Sequence, residues 1–457
     1  MYPNPMTRRS SGLLLHPTSL PSGVLDDDVL RWLDFLNATG QSVWQMLPLG
    51  VPAIGLSPYQ CLSAFAANPA LLPNSFQREL NPADTDFLTW QESQSFWLQD
   101  YALFILLKKI NSGNAWYQWS EPMRDRDPKL LENLIKTHAE PLQQIKWQQF
   151  LFQQCWQWLR TEANNRNISL FGDMPIFVAH DSADVWATRR NFLLDEQGQL
   201  LKVTGVPPDY FSETGQRWGN PHYDWSFMQA TNFDWWLQRL QQHFDWFDLV
   251  RIDHFRGLQS VWMIDSDSET AEKGQWVNTP GAMLLETLQQ KIGESLPLVA
   301  EDLGIITPEV IALRDKFNLP GMAVEQFSFD GFEDNPHKPH NISSNTVVYT
   351  GTHDNDTTAG WFNHLPEHEQ QHVLHELGIT QSEQLVDAMI NRAMTSSANL
   401  SIIPMQDILQ LDSDARMNIP GSHDPQNEHW QWQFDWSQIN PEIISKLKDK
   451  TYHAKRC

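Results

Sequence analysis

Eight short apolar runs, each stopped by polar residues, glycine or proline, constrain the fold of this 457-residue chain more than any other feature. They are Gly12–Leu15, Val43–Leu47, Leu170–Val178, Leu249–Ile252, Leu298–Ala300, Met322–Val324, Val347–Thr350 and Leu400–Ile403. Runs this short and this continuously apolar suit strands buried on both faces, the condition of a parallel sheet. Parallel neighbours need a crossover between them, usually a helix. The clearest is Pro308–Phe317, with Thr307 placed as its cap and Pro308 at the first position, where a missing N–H is no loss. The fifth, sixth and seventh runs are about 25 residues apart, one strand–helix unit. Eight such units predict an α/β fold, a (β/α)8 TIM barrel with helical insertions between strands. Residues 1–457 are read as a single catalytic barrel. Residues 56–167, rich in Trp, Gln and helical pattern, are expected to form a helical insertion subdomain within it. Residues 204–224, full of Gly and Pro, read as an active-site loop, because long irregular segments in a compact barrel tend to be lids or binding loops.

Charge and cysteine usage exclude several function classes. The chain carries 56 acidic and 32 basic residues, a net charge of −24, which disfavours nucleic acid and anionic membranes as partners. No apolar run approaches the length of a transmembrane helix. Cys61, Cys155 and Cys457 are odd in number and widely spaced, so neither a disulfide framework nor a structural zinc site is expected. Arg8 and Arg9 precede an apolar stretch of only Leu13-Leu14-Leu15, too short for a signal-peptide core, and a reduced, cytoplasmic protein is expected. The Asn-x-Ser/Thr triplets at Asn167 and Asn341 then carry no weight. Trp outnumbers Tyr 21 to 8. Large flat rings with one polar N–H suit core packing and stacking against the apolar faces of sugar rings.

Nucleotide motifs fail. Gly50 and Gly55 have phosphate-loop spacing, but Leu56 stands where lysine is required. His368-Glu369-Gln370-Gln371-His372 matches a zinc-protease motif literally, yet its neighbours Glu367, His375 and Glu376 make it a solvated helix face, and no metal is expected there.

Three acidic residues end three of the runs: Asp253, Glu301 and Asp354. Barrel chemistry sits at the C-terminal ends of strands. A close pair of carboxylates is what retaining glycoside chemistry requires, one attacking the anomeric carbon and the other protonating the leaving oxygen. Strand alternation places Arg251 on the same side as Asp253, where its guanidinium is expected to depress the carboxyl and keep it ionised. Leu298-Val299-Ala300 gives Glu301 an apolar approach that favours the protonated form. His353 and Asp354 remain to hold sugar hydroxyls. The same Asp, Glu and His cluster could serve a metal-dependent hydrolase, but no His-x-His pair marks a strand end.

Further segments complete the picture: His16-Pro17-Thr18-Ser19-Leu20-Pro21, Ser57-Pro58-Tyr59-Gln60, Gly172-Asp173-Met174-Pro175-Ile176-Phe177-Val178, Pro207-Pro208-Asp209-Tyr210-Phe211-Ser212, Gly215-Gln216-Arg217-Trp218-Gly219-Asn220-Pro221, Arg251-Ile252-Asp253-His254-Phe255-Arg256-Gly257, Ala300-Glu301-Asp302-Leu303-Gly304, Gly351-Thr352-His353-Asp354-Asn355 and Arg416-Met417-Asn418-Ile419-Pro420-Gly421. In this order, across nearly the whole chain, they resemble the 4-α-glucanotransferases, the amylomaltase or disproportionating-enzyme family related to the α-amylase barrels. The resemblance implies Asp253 as nucleophile, Glu301 as acid/base and Asp354 as transition-state stabiliser. It implies that Arg251 and His353 bind the sugar beside the scissile bond. Asp209, Tyr210 and Phe211 would lie on a loop over the cleft, with Trp218, Asn220 and Asn418 nearby. Tyr59 would belong to a glucan-contact surface in the first insertion. The implied substrates are maltooligosaccharides and α-1,4-glucans, with no cofactor. The chain departs from the family pattern at Ser422-His423-Asp424-Pro425 and at His429-Trp430-Gln431-Trp432-Gln433. Two rivals stand beside transfer: a retaining α-glucan hydrolase of amylase type, and a glycan-binding protein without catalysis, which would be expected to have lost a carboxylate.

Overall fold

The computed structural model describes residues 4–53, 55–208, 213–421 and 429–457. Each of the eight apolar runs forms a strand: β1 (Ser10–Leu14), β2 (Val43–Gln45), β3 (Ser169–Pro175), β4 (Leu249–Asp253), β5 (Leu298–Ala300), β6 (Gly321–Val324), β7 (Thr346–Tyr349) and β8 (Leu400–Pro404). Neighbours pair in the order β6-β7-β8-β1-β2-β3-β4-β5, and every ladder is parallel. The last seam, between β5 and β6, is bridged by the Ala300 N–H donating to the Pro320 carbonyl at 2.8 Å. The sheet is a nearly closed barrel with helices outside it.

Alternation along each strand sorts side chains into two cores. Leu14, Val43, Phe171, Leu249, Val299, Met322, Val347 and Leu400 fill the barrel interior. Leu13, Trp44, Leu170, Val250, Ile252, Leu298 and Val348 face the surrounding helices. The close approach of β1 to β2 explains Gly12, since a Cβ there would overlap the Val43 carbonyl. In β4 the pattern puts Leu249, Arg251 and Asp253 on the interior side, so the charged pair crowns an apolar stack.

Between β2 and β3 the α-helices begin at Thr85–Ser93, after two short 3-10 turns, and continue through Leu98–Ile110, Glu121–Arg124, Pro128–Thr137 and Ala139–Asn165. The last is shared with the barrel. Trp156 donates its indole N–H to the Trp246 carbonyl and packs edge-on against Phe247, while Arg160 pairs with Asp248 just ahead of β4. Phe87, Trp147 and Phe150 belong to the same continuous apolar core as the barrel's outer face.

The segment 204–224, expected as a loop, begins within one strand and contains a second. Lys202–Val206 and Gln216–Pro221 pair antiparallel, and Lys202–Val206 also pairs with Ser260–Asp265, which pairs with Gly274–Asn278. Gly and Pro were misleading because Gly205 is needed for close backbone packing, where a Cβ would overlap the Gln216 carbonyl, and Pro221 closes its strand. Among the described residues no helix is long and apolar enough to cross a membrane.

One buried cation fastens the far end of the barrel. Arg456, fully buried, donates to the carbonyls of Ser10 (2.8 Å), Ala398 (2.8 Å), Asn399 (3.0 Å), Ser396 (3.3 Å) and Met394. Burial, with Arg9 close by, lowers this guanidinium to about 9. Among the described residues no carboxylate pairs with it. Arg456→Met strands these carbonyls beside the β1–β8 seam, and a loss of ~3 kcal/mol or more is expected in denaturant unfolding.

Candidate active site

The strand register assembles the site. Parallel pairing sets Asp173 of β3 beside Arg251 of β4, and Pro175 beside Asp253. It sets Ile252 beside Ala300, so Asp253 and Glu301 emerge side by side from adjacent strands at the C-terminal rim. Arg251, buried, bridges two carboxylates: Nη1 donates to Asp173 Oδ2 at 2.6 Å and Nη2 to Asp253 Oδ1 at 2.7 Å. The Tyr59 hydroxyl donates to the same Asp173 oxygen at 2.7 Å. Asp173 has 0% of its side chain exposed and Asp253 has 29%, so the first anchors the guanidinium and the second faces the cleft.

Glu301 is held by backbone. Its Oε2 accepts the His254 N–H at 2.7 Å and its Oε1 the Leu303 N–H at 2.9 Å. The first bond depends on His254 adopting a left-handed conformation, φ +54°, which a non-glycine residue holds only when its surroundings impose it. The His254 ring is packed edge-on against Trp218 at 4.8 Å, and burial lowers it to about 3, so it is neutral.

Burial raises both catalytic candidates. It lifts Asp253 to about 8 against the pull of Arg251, which overturns the expectation of a depressed carboxyl. The reason is first the burial of its charge, and then the negative charges of Asp173, Glu301 and Asp354, which offset the one guanidinium. Glu301 is also raised by burial, with Arg251 and its two backbone bonds opposing. Two carboxylates in one buried cluster with a single guanidinium hold one proton between them.

The β7 loop supplies the third acid. The Asn418 amide donates to Asp354 Oδ1 at 2.6 Å, and Arg416 Nη2 to the Asp354 carbonyl at 2.8 Å. His353 Nε2 lies 3.3 Å from Asp354 Oδ2, and burial keeps this imidazole neutral. The loop is stapled at both ends by buried Asp407, which accepts from Thr350 Oγ1 (2.5 Å), Thr358 N (2.8 Å) and Thr358 Oγ1 (2.7 Å).

Tyr59 differs from its expected place on an insertion surface. Its ring stacks on His353 at 5.2 Å and 10°, inside the site, with Trp430 tilted 5.8 Å away. Asn220 is buried in the wall, where its amide exchanges bonds with Gln60 and donates to the Val178 carbonyl at 2.8 Å; it braces the turn carrying Tyr59. Asp209, Tyr210 and Phe211 lie outside the described residues. The sequence reading did not assign Asp173, Trp430 or Arg416. For Asp173 the signal was a charge inside an apolar strand run; for Arg416 it was the residue two before Asn418. The His368–His372 segment forms a helix, Glu367–Glu376, with both imidazoles exposed.

A family model described as Glyco_hydro_77, 4-alpha-glucanotransferase, matches residues 15–81 and 70–438. The chain is 44% identical to a 4-alpha-glucanotransferase of Synechocystis, covering 97% of each chain. It is 42% identical to that of Thermus thermophilus, covering 96% of this chain and 97% of the relative. The structure matches an amylomaltase of Streptococcus agalactiae in complex with acarbose, at a TM-score of 0.92 and 30% identity, over 98% of this chain and 100% of that one. A barrel rim bearing Asp253, Glu301 and Asp354, and relatives matched over almost their whole length, place this chain in glycoside hydrolase family 77, the 4-alpha-glucanotransferases.

Proposed function

We propose that this enzyme transfers α-1,4-glucan segments between maltooligosaccharides by a retaining double displacement through a glycosyl ester of Asp253. The observation that carries the reading is the Asp253–Glu301 pair set side by side by the β4–β5 register, with Arg251 on one member only. Glu301 gives its proton to the glycosidic oxygen as Asp253 attacks the anomeric carbon and the C–O bond breaks. Arg251 occupies Asp253 Oδ1, which leaves Oδ2 for the attack. Glu301, now a carboxylate, takes the proton of an acceptor 4-hydroxyl. That oxygen attacks the anomeric carbon, expels Asp253 and restores the α-linkage. Asp354, oriented by Asn418 and Arg416, and His353 hold hydroxyls of the sugar beside the bond being broken. The indole and phenol rings of Tyr59, Trp218 and Trp430 offer stacking faces. The chemistry calls for no metal or organic cofactor.

Incubation with maltotriose tests the reading. Longer and shorter glucans should appear while the number of reducing ends stays constant. Reducing ends rising in step with substrate loss would make the protein an α-glucan hydrolase instead.

The shared proton also sets a pH profile. Transfer needs one proton on the Asp253–Glu301 pair, and burial raises the value at which the last one leaves. Activity is therefore retained at neutral pH and lost as pH rises, with the upper limb of kcat/KM near 8. An upper limb near 4–5, the range of an ordinary glutamate, would count against burial as the tuning device.

A further inference from the structure

We propose that Trp276 and Ile305 form a sugar-binding platform on the acceptor side of the cleft, engaged by glucans too long to be held at the catalytic rim alone. The proposal rests on the reading of Glu301 as the acid/base. Trp276 lies on Gly274–Asn278, the edge strand of the small antiparallel sheet, and keeps 39% of its surface exposed. The ring is nonetheless fixed. The Arg256 guanidinium sits 3.8 Å over it, and Trp262, its partner in the ladder, packs 5.3 Å away. Trp262 is itself anchored by donating to the Ala271 carbonyl at 2.9 Å.

Arg256 joins this platform to the catalytic rim. Its Nη1 donates to the carbonyl of Ile305, in the loop that follows Glu301. That loop also supplies the Leu303 N–H bound to Glu301. Ile305 is 53% exposed. Glu301, Leu303, Ile305, Arg256 and Trp276 are thus one continuous run of contacts leading outward from the acid/base. Because Glu301 protonates the departing oxygen, leaving and acceptor chains occupy its side of the cleft. On this proposal a chain extending outward there runs past Ile305 to the indole. A held, half-open indole suits a pyranose, which presents an apolar face and polar edges. Packing on Arg256 accounts for one face of Trp276 and not for the area left open.

The test uses α-maltotriosyl fluoride as donor, so that the leaving side holds only fluoride before the acceptor enters, and compares glucose with maltohexaose as acceptors. For Trp276→Ala, KM for maltohexaose should rise about five-fold and KM for glucose by less than about two-fold. Trp276→Phe should restore most of the difference. Ile305→Ser, at an exposed position where folding is not at issue, should show the same length-selective loss. Equal losses with both acceptors would mean that Trp276 acts through Arg256 on the Glu301 loop, and no loss would mean that it touches no sugar; either result overturns the platform. If the unsubstituted protein releases only free maltotriose and makes no elongated product, the failure lies in the transfer reading and is recognised as such.

Discussion

Asp253→Asn is expected to abolish glucan transfer, lowering maltotriose turnover by at least ~10⁴-fold, because an amide cannot form the glycosyl ester. The same substitution should not weaken the fold. The folded carboxyl titrates near 8, above the ordinary aspartate range, because burial penalises its charge. For an acid raised in this way, the native state holds its proton more tightly than the unfolded chain. Stability is therefore lost as pH rises from the unfolded value through the folded one, and the full penalty applies above 8. Asparagine carries no such charge. The variant should melt at or above the temperature of the original protein at pH 9, by calorimetry, while being inactive. Near-normal disproportionation by Asp253→Asn would falsify the assignment of the nucleophile.

Glu301→Gln separates the two halves of the reaction. On maltotriose the first step needs a proton for the leaving sugar, and the rate should fall ~10²–10⁴-fold. From a glucosyl fluoride, fluoride departs without protonation as the C–F bond breaks, so Asp253 should still be loaded at close to the original rate. The second step then lacks its base, and the glycosyl ester accumulates. Peptide mass analysis should find one glucosyl unit on Asp253. Equal loss with both substrates, and no adduct, would reduce Glu301 to a structural role held by the His254 and Leu303 amides.

The barrel was legible because burial on both faces leaves a plain mark: all eight apolar runs became strands, with ends moved by a few residues. The three acids were legible because each follows such a run. What the sequence hid depended on distance. The small sheet was obscured because its strands Lys202–Val206 and Gln216–Pro221 carry glycine and proline, and neither is apolar enough to advertise burial. Asp173 is hidden inside an apolar strand, and only the β3–β4 register reveals that it shares Arg251 with Asp253. Reasoning from the nearest charge alone gave the wrong direction for Asp253 chiefly because burial penalises its charge, with Asp173 adding to the effect. Tyr59 reaches the site across 114 residues of chain to Asp173, a contact no local pattern encodes.

The pairing of β1 with β8 has a consequence for how the molecule is made. Ser10–Leu14 lies between β2 and Leu400–Pro404, so one side of the first strand has no partner until residue 404 has been synthesised. At ~5–20 residues per second that interval is roughly 20–80 s. Throughout it, β1 lacks one of its two ladder partners, next to a sheet whose inner face carries Leu14, Val43, Phe171 and Leu249. Arg456, which grips Ser10 and the residues leading into β8, arrives later still. Translation speed over the second half of the chain is therefore expected to affect yield. Slowing it should increase aggregation of the nascent protein, and early occupation of the β1 edge by a chaperone should relieve it.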